Sequence, residues 1–114
     1  MKNGYEEQIK EIMRAIKPKG FYKGYHQLEA VLIEGCENWE VDNNLGKSIY
    51  PKVAERLNCQ AKNIERNIRT LLRGIDYKKL SEIVKQETDC MIKVKELIDI
   101  LIIHIKYEVI KDGK

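Results

Sequence analysis

Apolar residues recur along this chain at three- and four-residue intervals, the period of helices that bury one face. Ile9, Ile12, Met13 and Ile16 predict a helix over 5–16, and Lys17-Pro18-Lys19-Gly20 ends it. Leu28, Val31 and Leu32, with nearby Tyr25, predict a second over 23–35. Asn38 to Gly46 is polar and turn-forming, which predicts a loop with Trp39 packed beneath it. Ile49, Val53, Ala54 and Leu57 share a face of a third helix within 46–57. Pro51 lies inside that run and lacks a backbone donor, so the helix is either kinked or begins near it. A tight connection at Asn58-Cys59-Gln60 leads to a fourth helix over 61–73, with Gly74 in the place of a left-handed closing residue. Tyr77, Leu80, Ile83 and Val84 predict a helix over 76–86. Val94, Leu97, Ile98, Leu101, Ile105 and Val109 predict the last, over 93–111. No stretch alternates long enough for a strand, and no repeat or low-complexity linker interrupts the chain. The expectation is an all-α bundle of about six helices, a single domain spanning 1–114 and long enough to bury a core.

The fourth element has two chemically distinct sides. At about 100° per residue, Lys62, Arg66, Arg69 and Arg73 fall within an arc of about 60°, with Glu65 at its edge. Ile64, Ile68, Leu71 and Leu72 take the opposite side and are expected to pack on Ile49, Val53 and Leu57. A guanidinium is a planar donor fork suited to phosphate oxygens and the guanine edge, and a carboxylate accepts from cytosine N4. Two helices joined by about three residues, the second carrying the charge, follow the helix-turn-helix plan, here over 46–73. From geometry alone, a solvated surface competes evenly with DNA contact. Glu65 and Arg69 also stand at the spacing of a helical ion pair, worth about 0.2–0.5 kcal/mol.

Composition narrows the remaining classes. With 43% apolar and 34% charged residues, the chain is globular rather than disordered. A net charge of +3 is a mild bias, but residues 58–73 hold four basic side chains against Glu65 alone. Cys36, Cys59 and Cys90 are odd in number and lack C-x-x-C spacing, which excludes a disulfide framework or a zinc site and suits a reducing cytoplasm. The polar opening residues lead to the expectation of no secretory signal. Asp99, His104, Lys106 and Glu108 interrupt the isoleucine-rich stretch Ile98–Ile110, which falls short of the roughly 20 apolar residues that span a bilayer. His26 and His104 have no metal-like spacing, and neither a nucleophile–base pair nor a Gly-rich phosphate cradle occurs. Tyr5, Tyr22, Tyr25, Tyr50, Tyr77 and Tyr107 are too scattered for a base-stacking platform. A non-enzymatic protein without cofactor or metal is expected.

The order of these pieces is itself informative. Ile9-x-x-Ile12 precedes Tyr22-Lys23-Gly24-Tyr25-x-x-Leu28, then Leu45-x-Lys47-x-Ile49-Tyr50-Pro51-x-Val53-Ala54, Asn58, and Ile64-Glu65-Arg66-x-Ile68-Arg69. The series resembles the C-terminal DNA-binding effector domain of the stage-zero sporulation protein A family, response regulators of endospore-forming Firmicutes. It covers nearly the whole chain, with Glu96-Leu97-Ile98 similar to the family's final helix. The resemblance implies a compact helical domain that reads a promoter box containing T-G-x-C-G-A-A, in pairs on tandem or inverted boxes. It also implies that Glu65, Arg66 and Arg69 lie at or near base edges and that Lys62 faces the backbone. Asn63 replaces the family's usual arginine and, with Lys62 and Arg73, completes the expected phosphate set. Cys59-Gln60 replaces a usual Thr-Thr, removing a helix cap worth about 1 kcal/mol unless Asn58 takes the role. Residues 74–93, through which the family contacts the polymerase sigma factor, match less well and are shorter. The sequence starts directly before the effector-like region, without the receiver domain that family members carry, and a free-standing relative or a fragment is expected.

The resulting expectation is a cytoplasmic, sequence-specific binder of duplex DNA that regulates transcription. The rival is an interaction module that pairs with or antagonises a full-length sporulation regulator. Ile100, Ile102 and Ile103 widen the apolar surface of the last helix, making it either central in the core or the seam of a homodimer. Lys17, Lys19 and Lys23 with Tyr22 suit a phosphate contact or a solvated loop equally well.

Overall fold

The computed structural model describes residues 4–20, 22–38 and 45–112, and each apolar period noted above becomes a helix in it. The helices are α1 (Gly4–Ala15), α2 (Gly24–Asn38), α3 (Tyr50–Leu57), α4 (Ala61–Leu71), α5 (Tyr77–Val84) and α6 (Val94–Asp112), and no strand occurs among the described residues. Trp39 and most of the expected loop around it lie outside those residues.

Helix α2 is the hub, packed against α1, α3, α4 and α6. Its Leu28, Val31 and Leu32 are fully buried with Ile9 and Met13 of α1 and Leu97, Ile98, Leu101, Ile102 and Ile105 of α6. Two glycines let neighbours approach α2 closely. A Cβ at Gly35 would lie 2.5 Å from Ile102 Cδ1, and one at Gly24 would lie 2.3 Å from the Asn67 carbonyl oxygen. Of the three extra isoleucines on α6, Ile102 is therefore core, Ile100 is half-buried, and Ile103 is 61% exposed.

Helix α3 begins at Tyr50, which places Pro51 in its first turn. Proline there costs no ladder bond of its own, but its missing donor prevents a regular α-ladder from entering from upstream. The preceding residues, Leu45–Ile49, instead form a π-helical turn with Leu45 and Ile49 buried. Of the two readings of Pro51, the beginning of the helix is the observed one. Leu57, expected under α4, is 37% exposed at the end of α3, whereas Ile49 and Val53 are buried.

Two further expectations are corrected. The fourth helix stops at Leu71 rather than at 73, and the chain tightens into shorter bonds from Arg73 N to Thr70 O (3.2 Å) and Gly74 N to Leu71 O (2.9 Å). The turn carries Leu72 and Ile75 into the core, and the Tyr77 hydroxyl donates to the Leu72 carbonyl. Gly74 is not a left-handed closing residue; positive φ occurs instead at Gly20, Asn58 and Lys85. Glycine is needed at 74 for space, since a Cβ there would sit 2.9 Å from Tyr22 Oη and 3.1 Å from Pro18 Cβ. Helix α5 then starts at a regular cap, with Asp76 Oδ1 accepting from Lys79 N at 3.0 Å.

Candidate nucleic-acid interface

The connection between α3 and α4 is built by backbone conformation. Asn58 adopts φ 58 and ψ 52, and Cys59 N donates to Ala54 O at 2.9 Å, closing α3 as a left-handed C-terminus does. Gln60 then turns extended (φ −97, ψ 133) and α4 begins without a side-chain cap. Asn58 thus serves the end of α3, not the start of α4, and the loss of the cap at 59–60 is uncompensated by any side chain.

Three interactions outside this turn hold α4 in place. Ile64, Ile68 and Leu71 are 0% exposed, each burial worth about 1.5–3 kcal/mol. The close approach of Gly24 sets α2 directly against the backbone of α4. Gln27 of α2 accepts from Asn67 Nδ2 at 3.0 Å and donates to Cys59 Sγ at 3.8 Å, tying α2 to both the turn and the helix. Burial exceeds the strength of any surface pair here, so the aliphatic side decides which way α4 faces.

That orientation turns the charged residues outward. Lys62, Glu65, Arg66 and Arg69 are all exposed, with side-chain exposures of 58% for Arg69 and 49% for Glu65. Arg69 Nη2 donates to Glu65 Oε2 at 3.0 Å, and Arg66 Nη2 donates to Asn63 Oδ1 at 2.9 Å. Each guanidinium is thus braced by a neighbour one turn earlier and keeps its other donors free. Asn63 is half-buried and supports Arg66 from the position where an arginine was expected. Arg73, exposed, stands in the turn two residues past α4 rather than on the helix itself. Lys62, Arg66 and Arg73 make no ion pair among the described residues. In the first turn of α3, burial first and then the Glu65 carboxylate raise the Tyr50 phenol above its ordinary pKa, with Arg69 opposing.

The supporting roles of three residues escaped the sequence analysis. Gln27 and Gly24 act across about 40 positions of chain, which no local period records. Glu34, 7% exposed in α2, accepts from Asn38 Nδ2 (2.7 Å) and Arg56 Nη2 (3.2 Å), with Lys52 Nζ 3.9 Å away. It fixes α3 to α2 and withdraws Arg56 and Lys52 from the outward cationic set. A carboxylate inside the apolar run of α2 was the one available signal.

Residues 9–102 match the family described as the sporulation initiation factor Spo0A C terminal. This chain belongs to that family. The Spo0A C-terminal domain is a DNA-binding effector domain, which assigns DNA binding in sporulation control to the fold described here. No curated protein matches the chain. Among the described residues no helix is long and apolar enough to cross a membrane, and no three His, Cys, Asp or Glu side chains converge as metal ligands.

Proposed function

We propose that this member of the Spo0A C-terminal family is a transcriptional regulator that reads a promoter box by laying α4 in the major groove. Arg66 and Arg69 donate to base edges, Glu65 accepts from a base or orients Arg69, and Lys62, Asn63 and Arg73 meet phosphates. The reading is carried by the division of α4 into a fully buried aliphatic side and an open side with braced, solvent-facing guanidinium groups. A well-made bidentate base contact is worth about 1–3 kcal/mol of discrimination, and phosphate contacts make affinity fall with salt. Selection of bound duplexes from a random pool should return one box. Arg66→Ala should relax preference at one base pair of it without lowering thermal stability. Equal binding of selected and scrambled duplexes by the wild-type protein would reject the proposal.

A second reading rests on the far side of α6, where Ile103, Tyr107 and Ile110 are 61%, 61% and 70% exposed. This strip suits a protein partner, either a second copy on a neighbouring box or a full-length sporulation regulator. Sedimentation with and without DNA, and co-purification with the regulator, separate those partners.

A further inference from the structure

Beside α4 runs a groove of about 430 Å³, one wall of which holds no residue assigned a contact so far. Glu65 and Arg69 form one wall, and Ile92, Lys93, Val94 and Lys95, at the start of α6, form the other. Because Glu65 and Arg69 belong to both, the groove opens on the same side as the outward face of α4.

We infer that this groove seats the sugar–phosphate backbone of one DNA strand, with Lys93 as its cation. The inference rests on the reading that α4 enters the major groove. That groove is about 12 Å wide, and a helix with its side chains is about 10–12 Å across, so a phosphate strand runs along each flank of a seated helix. A cation immediately beside α4, on its open side, meets one of those strands.

The charges in the groove single out Lys93. Arg69 is paired with Glu65 at 3.0 Å, and Lys95 with Asp99 at 2.9 Å, so each of these cations is locally compensated. Lys93 is exposed and makes no ion pair among the described residues, leaving the groove a net positive charge. Its backbone is held on both sides, by half-buried Ile92 and by Val94, which is 5% exposed. A lysine placed this way supplies a compact point charge to phosphate without reading sequence.

The test is a salt titration of binding by the full chain and by Lys93→Ala and Lys93→Glu, on the selected duplex and a scrambled one. Lys93→Ala should weaken both duplexes alike, roughly three- to tenfold at 0.1 M salt, and flatten the log–log salt slope by about 0.9. Lys93→Glu should weaken both further, with unchanged melting temperature in each variant. Unchanged affinity and slope for both variants, while Arg66→Ala still relaxes sequence preference, would overturn this inference alone. Loss confined to the selected duplex would also overturn it, since that behaviour belongs to a base contact. A wild-type protein without preference for any duplex would instead reject the underlying reading of α4.

Discussion

Gly24 and Asn67 stand so close that a Cβ on the first would fall 2.3 Å from the carbonyl oxygen of the second and 2.7 Å from its carbon. Both obstructing atoms are backbone, so no rotamer change relieves the contact. The height of α4 above α2, and with it the reach of Arg66 and Arg69 from the surface, is set by the absence of one methyl group.

Gly24→Ala should therefore push α4 away from α2. Overpacking of this kind costs about 1–3 kcal/mol, read as a melting temperature several degrees lower. Preference for the selected box should fall more than affinity for scrambled DNA, because base contacts tolerate displacement less than phosphate contacts do. Thermal melts paired with binding to both duplexes check this; an unchanged melt and unchanged preference would contradict it.

Glu65→Gln separates the two roles of that carboxylate. The pair with Arg69 is exposed, so stability should change by no more than about 0.5 kcal/mol. Affinity for scrambled DNA should rise, since a negative charge leaves the phosphate-facing side. Discrimination at one base pair should fall by about 1–3 kcal/mol if the carboxylate or the arginine it orients reads a base. Binding to single-base-substituted duplexes measures this, and an even response at every position would remove Glu65 from the reading set.

The thiols should react in a fixed order. Cys90 is exposed, Cys59 is half-buried, and Cys36 is 1% exposed, with burial pushing its pKa up to about 12. Since the thiolate is the reactive form, a disulfide reagent at pH 8 should label Cys90 first and Cys36 only as the protein unfolds. Labelling of Cys36 at the rate of Cys90 would show that the α2–α6 interface opens readily.

His104 should make stability sensitive to mild acid. Burial chiefly lowers its pKa below the ordinary 6.5, helped by Lys85 and Lys111 and opposed by Glu108. Below 6.5 the unfolded chain takes up a proton that the folded one refuses until the lower value is reached. Its contribution is therefore fully present above that pH and is lost as pH falls toward the folded value. Melting temperatures from pH 7.5 to 5.5 should fall less steeply for His104→Gln than for wild type, and parallel curves would reject the role.

Helical class, the number and order of helices, and the two-sided nature of α4 were legible in the residues. Burial follows a 3.6-residue period wherever an element is long enough to show it, and Ile64, Ile68 and Leu71 face inward as that period requires. The end of α4 was misjudged because its amphipathic pattern continues through Leu72 and Arg73, while the Tyr77 hydroxyl and the burial of Ile75 turn the backbone earlier. Gly74 was misjudged because a glycine after a helix fits a left-handed turn and a crowded contact equally well, and only the positions of Tyr22 and Pro18 distinguish them.

By itself, then, the sequence determined which residues of α4 are aliphatic and which are cationic, because that is a property of local spacing. Tertiary structure alone decided how α4 is held: the missing Cβ at Gly24, the Gln27 bridge to Asn67 and Cys59, and the groove that brings Lys93 beside Arg69. These join residues 24 to 43 positions apart, and contacts between distant segments are set by how helices pack, which no local period encodes.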